Sequence, residues 1–251
     1  MPSPQKDSFI SFPKKPIEIS QVAGREIELT KELARRLQRK FPNFKIYANK
    51  CPSRSSKIKK VWFEKFQETC PPLQPEMDII IYEPQELHTS EQKPKIRAVE
   101  IKCFQKTKGA INQSFYKGIE QALALIQWGF DNVALWQLFD ESFSEEDLRN
   151  YGCRTWFFIH GVLRLPIDFT MFQLRGTDLQ KVRYQVIQAD WENNLAPIGL
   201  LDIDDPEFQF RHRHLNPLIY DKVLYRPLLE EVTTLRNFLL EWLPKQPQGL
   251  T

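Results

Sequence analysis

The stretch IRAVEIKCF, residues 96–104, has the composition of a buried strand but carries two opposite charges in its second half. Its β-branched and aromatic residues favour an extended conformation. Alternate side chains of a strand share a face, so Glu100 and Lys102 are expected on the same side of a sheet. A charge is costly to bury unless it is paired or has a chemical task. The stretch therefore predicts an interior strand that carries an ion-paired or functional site.

The preceding strand supplies a second carboxylate. MDIIIY (77–82) reads as a strand with Asp78 near its start, and the polar residues 83–95 connect it to the stretch above. A polar connection between two such runs favours an antiparallel hairpin. With Tyr82 near Arg97 or Ala98, we expect Asp78 to lie across from Ile101 or Lys102, one step from Glu100. The hairpin thus brings two acids and a lysine together at one end.

A helix over residues 20–40 adds a third acid. Ser20 is a suitable cap, and Pro42 ends the helical pattern. One face collects the apolar positions Val22, Leu29, Leu33, Ala34, Leu37 and Phe41. Glu26 falls near the middle of that face. An acid on the buried side of a helix needs a partner, and a metal ion or Lys102 would provide one.

These charges indicate metal-assisted chemistry. Two neighbouring carboxylates repel each other unless a cation lies between them. Mg²⁺ prefers oxygen ligands and typically takes one or two carboxylates together with phosphate oxygens of a substrate. A lysine beside such an ion can orient or help deprotonate the bound water and offset charge on a phosphate. The arrangement suits hydrolysis of a phosphodiester, with Mg²⁺ or Mn²⁺ as the cofactor.

The order of elements predicts the fold class. Further strands are expected at 44–48 and 133–139, and helical spacing covers 112–128. Helix, three strands, helix and strand fit a mixed α/β sheet flanked by helices. Beyond these elements, we expect strands at 153–162 and 182–189 and a helix over 226–243. The segment LLDIDDPE (200–207) reads as a turn, since it lacks the glycine and glutamate of a calcium loop.

Together, Asp78, the Glu100-Ile101-Lys102 triplet and the helical Glu26 resemble the PD-(D/E)xK nuclease superfamily, which has the restriction-endonuclease-like fold. The resemblance implies an α-β-β-β-α-β core over residues 18–165, with a flexible arm over 1–17 and a C-terminal α/β extension over 166–251 packed on the core. The sequence departs from the family pattern at one point, because Pro75 does not directly precede Asp78.

The resemblance also implies roles for individual residues. Asp78, Glu100 and the Ile101 carbonyl would hold the metal, with support from Glu26, and Lys102 would serve the attacking water. Many members carry a glutamine, often with a tyrosine, on the following helix. The run Tyr116-Lys117-Gly-Ile-Glu-Gln121 is similar to that element. Gln121 is the first candidate for this glutamine and Gln113 the second. The implied partner is DNA, duplex or branched, and related nucleases are often homodimers.

Charge distribution agrees with a polyanionic partner. The net charge of the 251 residues is only +3, yet residues 1–65 hold 16 Lys and Arg against 6 Asp and Glu. A long basic loop, with room for a short structured piece around VWFEKF (61–66), is expected over residues 49–75, close to the Asp78 strand. Its candidate phosphate contacts are Lys50, Arg54, Lys57, Lys59 and Lys60.

No apolar run is long enough for a membrane helix, and the four scattered cysteines form no zinc-binding or CxxC pattern. These features lead us to expect a cytoplasmic protein with reduced thiols. Two alternatives to a nuclease remain: a nuclease-fold module that binds nucleic acid without cutting it, and a structural or interaction protein.

Overall fold

The computed structural model describes residues 19–71, 73–84, 94–107, 110–111, 117–176, 181–188, 198–205 and 229–250. The arm expected over residues 1–17 lies outside these ranges, as do the candidate side chains of Gln113 and Tyr116. The helices are α1 (Ile19–Lys40), α2 (Ser56–Phe66), α3 (Ile119–Gln127), α4 (Glu145–Trp156) and α5 (Leu229–Trp242). The strands are β1 (Lys45–Lys50), β2 (Met77–Glu83), β3 (Lys95–Phe104), β4 (Lys106–Thr107), β5 (Ala110–Ile111), β6 (Asn132–Phe139), β7 (Ile167–Arg175), β8 (Arg183–Gln188) and β9 (Ile198–Asp202).

Seven strands form one mixed sheet in the order β1-β2-β3-β6-β7-β8-β9. Strands β3, β6 and β7 run parallel, while the other neighbouring pairs are antiparallel. This confirms the predicted α/β class with a mixed sheet flanked by helices. The boundary expected between 165 and 166 falls within the sheet, because β7, β8 and β9 continue it.

The two faces of the sheet bury separate apolar clusters. One face packs against α1, with Leu33, Leu37, Ile79 and Ile101 in its core. The other packs against α2, α3 and α5, and its core includes the residues Trp62, Leu125, Phe238 and Leu239. Because β3 contributes to both clusters, the strand is buried on both faces. Any charge on its central residues is therefore removed from water.

The segment over residues 49–75, predicted as a long loop with a short structured piece around VWFEKF, contains the helix α2, which includes that piece and begins five residues before it. Ser55 caps this helix by accepting a hydrogen bond from the Lys57 N–H. Ile58 and Trp62, four residues apart, are buried on one side of the helix. These two side chains join the apolar core on this face of the sheet and so attach the basic segment to it.

The strand predicted at 153–162 was also wrong. Residues 145–156 form α4, and the chain continues as a π-helical segment over Phe157–Val162. Ser144 and Asp147 form a capping box that starts α4. Parallel strands such as β6 and β7 need a crossover connection, and this helical segment supplies it. The apolar run that resembled a strand instead packs on the sheet, and β7 follows it.

The position of α1 is maintained by contacts with the far end of the chain. Arg36 bonds both Glu32 and Asp204, and the Tyr184 hydroxyl donates to the Leu29 carbonyl. Lys40 donates to the backbone of the turn that follows β9. These bonds hold the helix over β3 and so determine where Glu26 lies. Of the segment 200–207 predicted as a turn, residues 200–202 belong instead to β9 and residues 203–205 form the turn. Within the described ranges, every helix is too short or too polar to span a membrane.

Candidate active site

The hairpin of β2 and β3 aligns Asp78 with Glu100. The ladder pairs Ile79 with Val99 and Ile80 with Ala98, so the next step places Asp78 across from Glu100. The sequence had predicted Ile101 or Lys102 at this position, so the register differs by one or two residues. The Asp78 carboxylate still reaches the neighbouring strand, because its Oδ2 accepts a hydrogen bond from the Ile101 N–H at 2.7 Å.

Lys102 lies among three carboxylates. Its Nζ is 2.7 Å from Glu100 Oε1 and 3.6 Å from Glu26 Oε1. Glu100 is fully buried, and Lys102 is only 6% exposed. The other Glu26 oxygen, Oε2, accepts a hydrogen bond from the Cys103 N–H at 3.2 Å. The first helix and two adjacent strands therefore bring Glu26, Asp78, Glu100 and Lys102 together.

Burial and mutual repulsion change the acidities of these groups. Burial, reinforced by the nearby Asp78 carboxylate, raises the pKa of Glu100 to about 8. Burial also raises the pKa of Asp78 to about 6, against the opposing effects of Lys102 and the Ile101 N–H. The pKa of Lys102 is raised because Glu100, Asp78 and Glu26 together outweigh the effect of burial. Lys102 is therefore a cation at neutral pH, and it offsets charge that the carboxylates would otherwise carry alone.

Glu100 has unused capacity to bind a further group. Its Oε2 is buried and has no hydrogen-bond partner among the described residues. An unsatisfied carboxylate oxygen in the interior is expensive, so a native one calls for an explanation. The ammonium of Lys102 lies on the Oε1 side and leaves Oε2 without a donor.

The donor chemistry fits a hard cation such as Mg²⁺. Asp78 and Glu100 are neighbouring carboxylates, and one oxygen of Glu100 lacks a partner. In the described part of the chain, no three His, Cys, Asp or Glu side chains are arranged to hold a metal ion by themselves. Mg²⁺ usually binds through one or two carboxylates and completes its shell with water and phosphate oxygens, so two carboxylates are sufficient ligands.

The helix α3 approaches the site through the residue that caps its start. Gly118 caps the start of α3 with φ of 95°. A Cβ built on Gly118 would lie 2.8 Å from both Lys102 Cγ and Leu135 Cδ1, so the backbone packs directly on the lysine side chain. Gln121 and Lys117 are exposed near this end of α3.

The predicted phosphate-contact residues differ in their surroundings. Lys57 pairs with Glu241 of α5, and Lys60 pairs with Glu64. Arg54 and Lys59 are exposed. Lys50 is half-buried beside Gly249, and burial lowers its pKa. Two of the five cations thus have acidic partners.

Gln137, which was not among the residues predicted from the sequence, is completely buried on β6 and lies across from Lys102 in the parallel ladder. The signal was available, since Gln137 is the only hydrogen-bonding side chain in the predicted strand VALWQLF apart from the Trp136 indole. Its significance depended on knowing that β6 pairs with β3.

No protein-family model matches this chain, and comparisons with curated proteins and with solved structures found no match either. The geometry of the site is therefore the basis for assigning a function.

Proposed function

We propose that this protein is a metal-dependent nuclease that hydrolyses phosphodiester bonds in DNA, most simply as an endonuclease. The observation that carries the proposal is the convergence of the partly buried Glu26 and Asp78 with the buried Glu100 and Lys102. The resemblance to the PD-(D/E)xK pattern, with its restriction-endonuclease-like fold, agrees with this assignment.

In the proposed site, Asp78 and Glu100 would hold Mg²⁺ or Mn²⁺. Such a cation would supply an activated water and an electrophilic contact to the phosphate. The Ile101 N–H orients Asp78, and the ladder holds that carboxylate next to Glu100. The Ile101 carbonyl is the further ligand implied by the family pattern.

Lys102 and Glu26 have distinct tasks in this proposal. The pKa of Lys102 is raised by its three carboxylate neighbours in the metal-free protein, so the lysine is a cation that suits both the orientation of the attacking water and stabilisation of negative charge on the phosphate. Glu26 pairs with Lys102 through one oxygen and accepts from the Cys103 N–H through the other. It therefore orients the lysine and fixes the end of β3 against α1.

Cleavage of supercoiled plasmid in Mg²⁺ tests the proposal. We expect nicked or linear product from the wild type and none from Lys102→Met or Glu100→Gln. Lys245→Met and Glu146→Gln are matched controls at exposed positions, and both should cut normally. Circular dichroism of each variant checks that it is folded. Equal cutting by Lys102→Met and wild type would exclude the role assigned to the lysine.

A module that binds nucleic acid without cutting it is the second candidate. It is favoured by the close pairing of Lys102 with Glu100, which neutralises charge without a metal ion. Salt-sensitive DNA binding without cleavage in either Mg²⁺ or Mn²⁺ would select this candidate.

A further inference from the structure

Asn49 has an unusual backbone conformation for its place in the fold. It lies inside β1 yet has φ of 49°, in the left-handed region. Gln67 and Arg164 are the other non-glycine residues with positive φ in the described ranges. Each of them follows a helical segment, where the left-handed region commonly ends a helix. Helix termination does not explain Asn49.

The ladder places Asn49 beside the candidate active site. Ala48 pairs with Ile79 and Lys50 pairs with Met77, so Asn49 is the residue across from Asp78. Asp78 in turn lies across from Glu100. Asn49, Asp78 and Glu100 therefore occupy one row across three neighbouring strands.

The side chain of Asn49 has a donor without an acceptor. Its Nδ2 is buried and makes no hydrogen bond to any described residue. The adjacent Asp78 already accepts from the Ile101 N–H through Oδ2. A buried amide donor that lacks a partner is unfavourable, and strained backbone positions concentrate where ligands bind. Both costs occur at one residue, next to the acidic site.

We infer that Asn49 is a further substrate-binding residue, whose amide donates a hydrogen bond to a non-bridging oxygen of a DNA phosphate bound beside the metal-binding carboxylates Asp78 and Glu100. The inference rests on the proposed function, because it takes the ligand to be a phosphodiester. A phosphate oxygen is a strong acceptor that suits an uncharged N–H donor. The amide nitrogen cannot bind a cation, so this donor complements the metal-binding carboxylates and does not compete with them.

Two substitutions separate a binding role from a structural one. Asn49→Asp preserves size and tolerance of positive φ but removes the donor. Asn49→Gly removes the whole side chain and suits the backbone conformation. Gln67→Gly is the matched control, since it makes the same change to a left-handed residue at the end of α2.

The measurements are fluorescence anisotropy with a labelled DNA duplex, in Ca²⁺ instead of Mg²⁺, and the melting temperature of each variant. We expect both Asn49 variants to bind DNA about tenfold more weakly or worse, as loss of a hydrogen bond to a charged group predicts. Asn49→Gly should melt at or above the wild-type temperature, and Gln67→Gly should bind as the wild type does.

Unchanged DNA binding in both Asn49 variants would overturn the inference. So would a melting temperature several degrees below wild type for Asn49→Gly but not for Gln67→Gly, since the amide would then be structural. If the wild type binds DNA but does not cut it, the proposed nuclease activity is contradicted. In that case, comparing DNA binding by the Asn49 variants with that of the wild type still tests the binding role of Asn49. A wild type that neither binds nor cuts overturns both proposals.

Discussion

Replacing Gly118 with alanine should displace Lys102, because the backbone at the start of α3 leaves no space for a Cβ. The added atom would lie 2.8 Å from Lys102 Cγ and 2.8 Å from Leu135 Cδ1. Both neighbours are buried, so neither can move freely into solvent. The φ of 95° is a second obstacle, since L-residues rarely adopt it.

Gly176 allows these two effects to be separated. Its φ of 99° almost equals that of Gly118, but among the residues that the structure describes, a Cβ there would meet only the Val182 Cα, at 4.0 Å. With respect to these residues, Gly176→Ala introduces the backbone strain without a close contact, and that strain costs about 1–2 kcal/mol. Gly118→Ala adds an overpacking cost of about 1–3 kcal/mol, so its total destabilisation should be about 2–5 kcal/mol.

Urea unfolding of the two variants and the wild type, followed by circular dichroism, measures the difference. The unfolding midpoint of Gly118→Ala should be clearly lower than that of Gly176→Ala. Plasmid cleavage should fall in Gly118→Ala under conditions where it remains folded, and it should persist in Gly176→Ala. Equal midpoints would refute the steric reasoning, because they would show that Lys102 and Leu135 yield without cost.

Three further outcomes are expected. Lys102→Met should lower the free energy of unfolding by about 1–3 kcal/mol, because Glu100 then stays buried in its protonated form without its polar partner. Adding Glu100→Gln should recover part of that loss in the same urea titration, and no recovery would mean that the pair is not coupled. Asp147, whose pKa is lowered to about 2 by hydrogen bonds from Lys106 and Ser144, contributes stability above its unfolded pKa near 3.8 that is lost as the pH falls toward 2. The stability difference between wild type and Asp147→Asn should therefore shrink between pH 5 and pH 2, and a constant difference would contradict this assignment. Deleting residues 247–251 should lower the free energy of unfolding by about 1–3 kcal/mol, because Gln248 hydrogen-bonds with the backbone of β1 and with a side chain of α1. A melting temperature equal to that of the wild type would argue against this contribution.

The sequence alone identified the chemical groups of the candidate site. Glu26, Asp78, Glu100 and Lys102 could be selected because strand and helix periodicities assign each residue to a face. Local patterns also determined α1, β2, β3 and the apolar part of α3 closely. These predictions depend on neighbours within a few residues along the chain, and sequence periodicity reports that range directly.

Tertiary structure decided what periodicity does not encode. The alignment of Asp78 with Glu100 depends on the register of the whole hairpin, which long-range packing sets and which differed from the sequence prediction. The change from a predicted strand to α4 and the π-helical segment follows from the parallel pairing of β6 with β7. The unpaired amide of Asn49 and the close approach of Gly118 to Lys102 exist only once separate segments meet. The sequence therefore determined which groups are available for chemistry, whereas the packing of distant segments decided their burial, their pKa values and their partners.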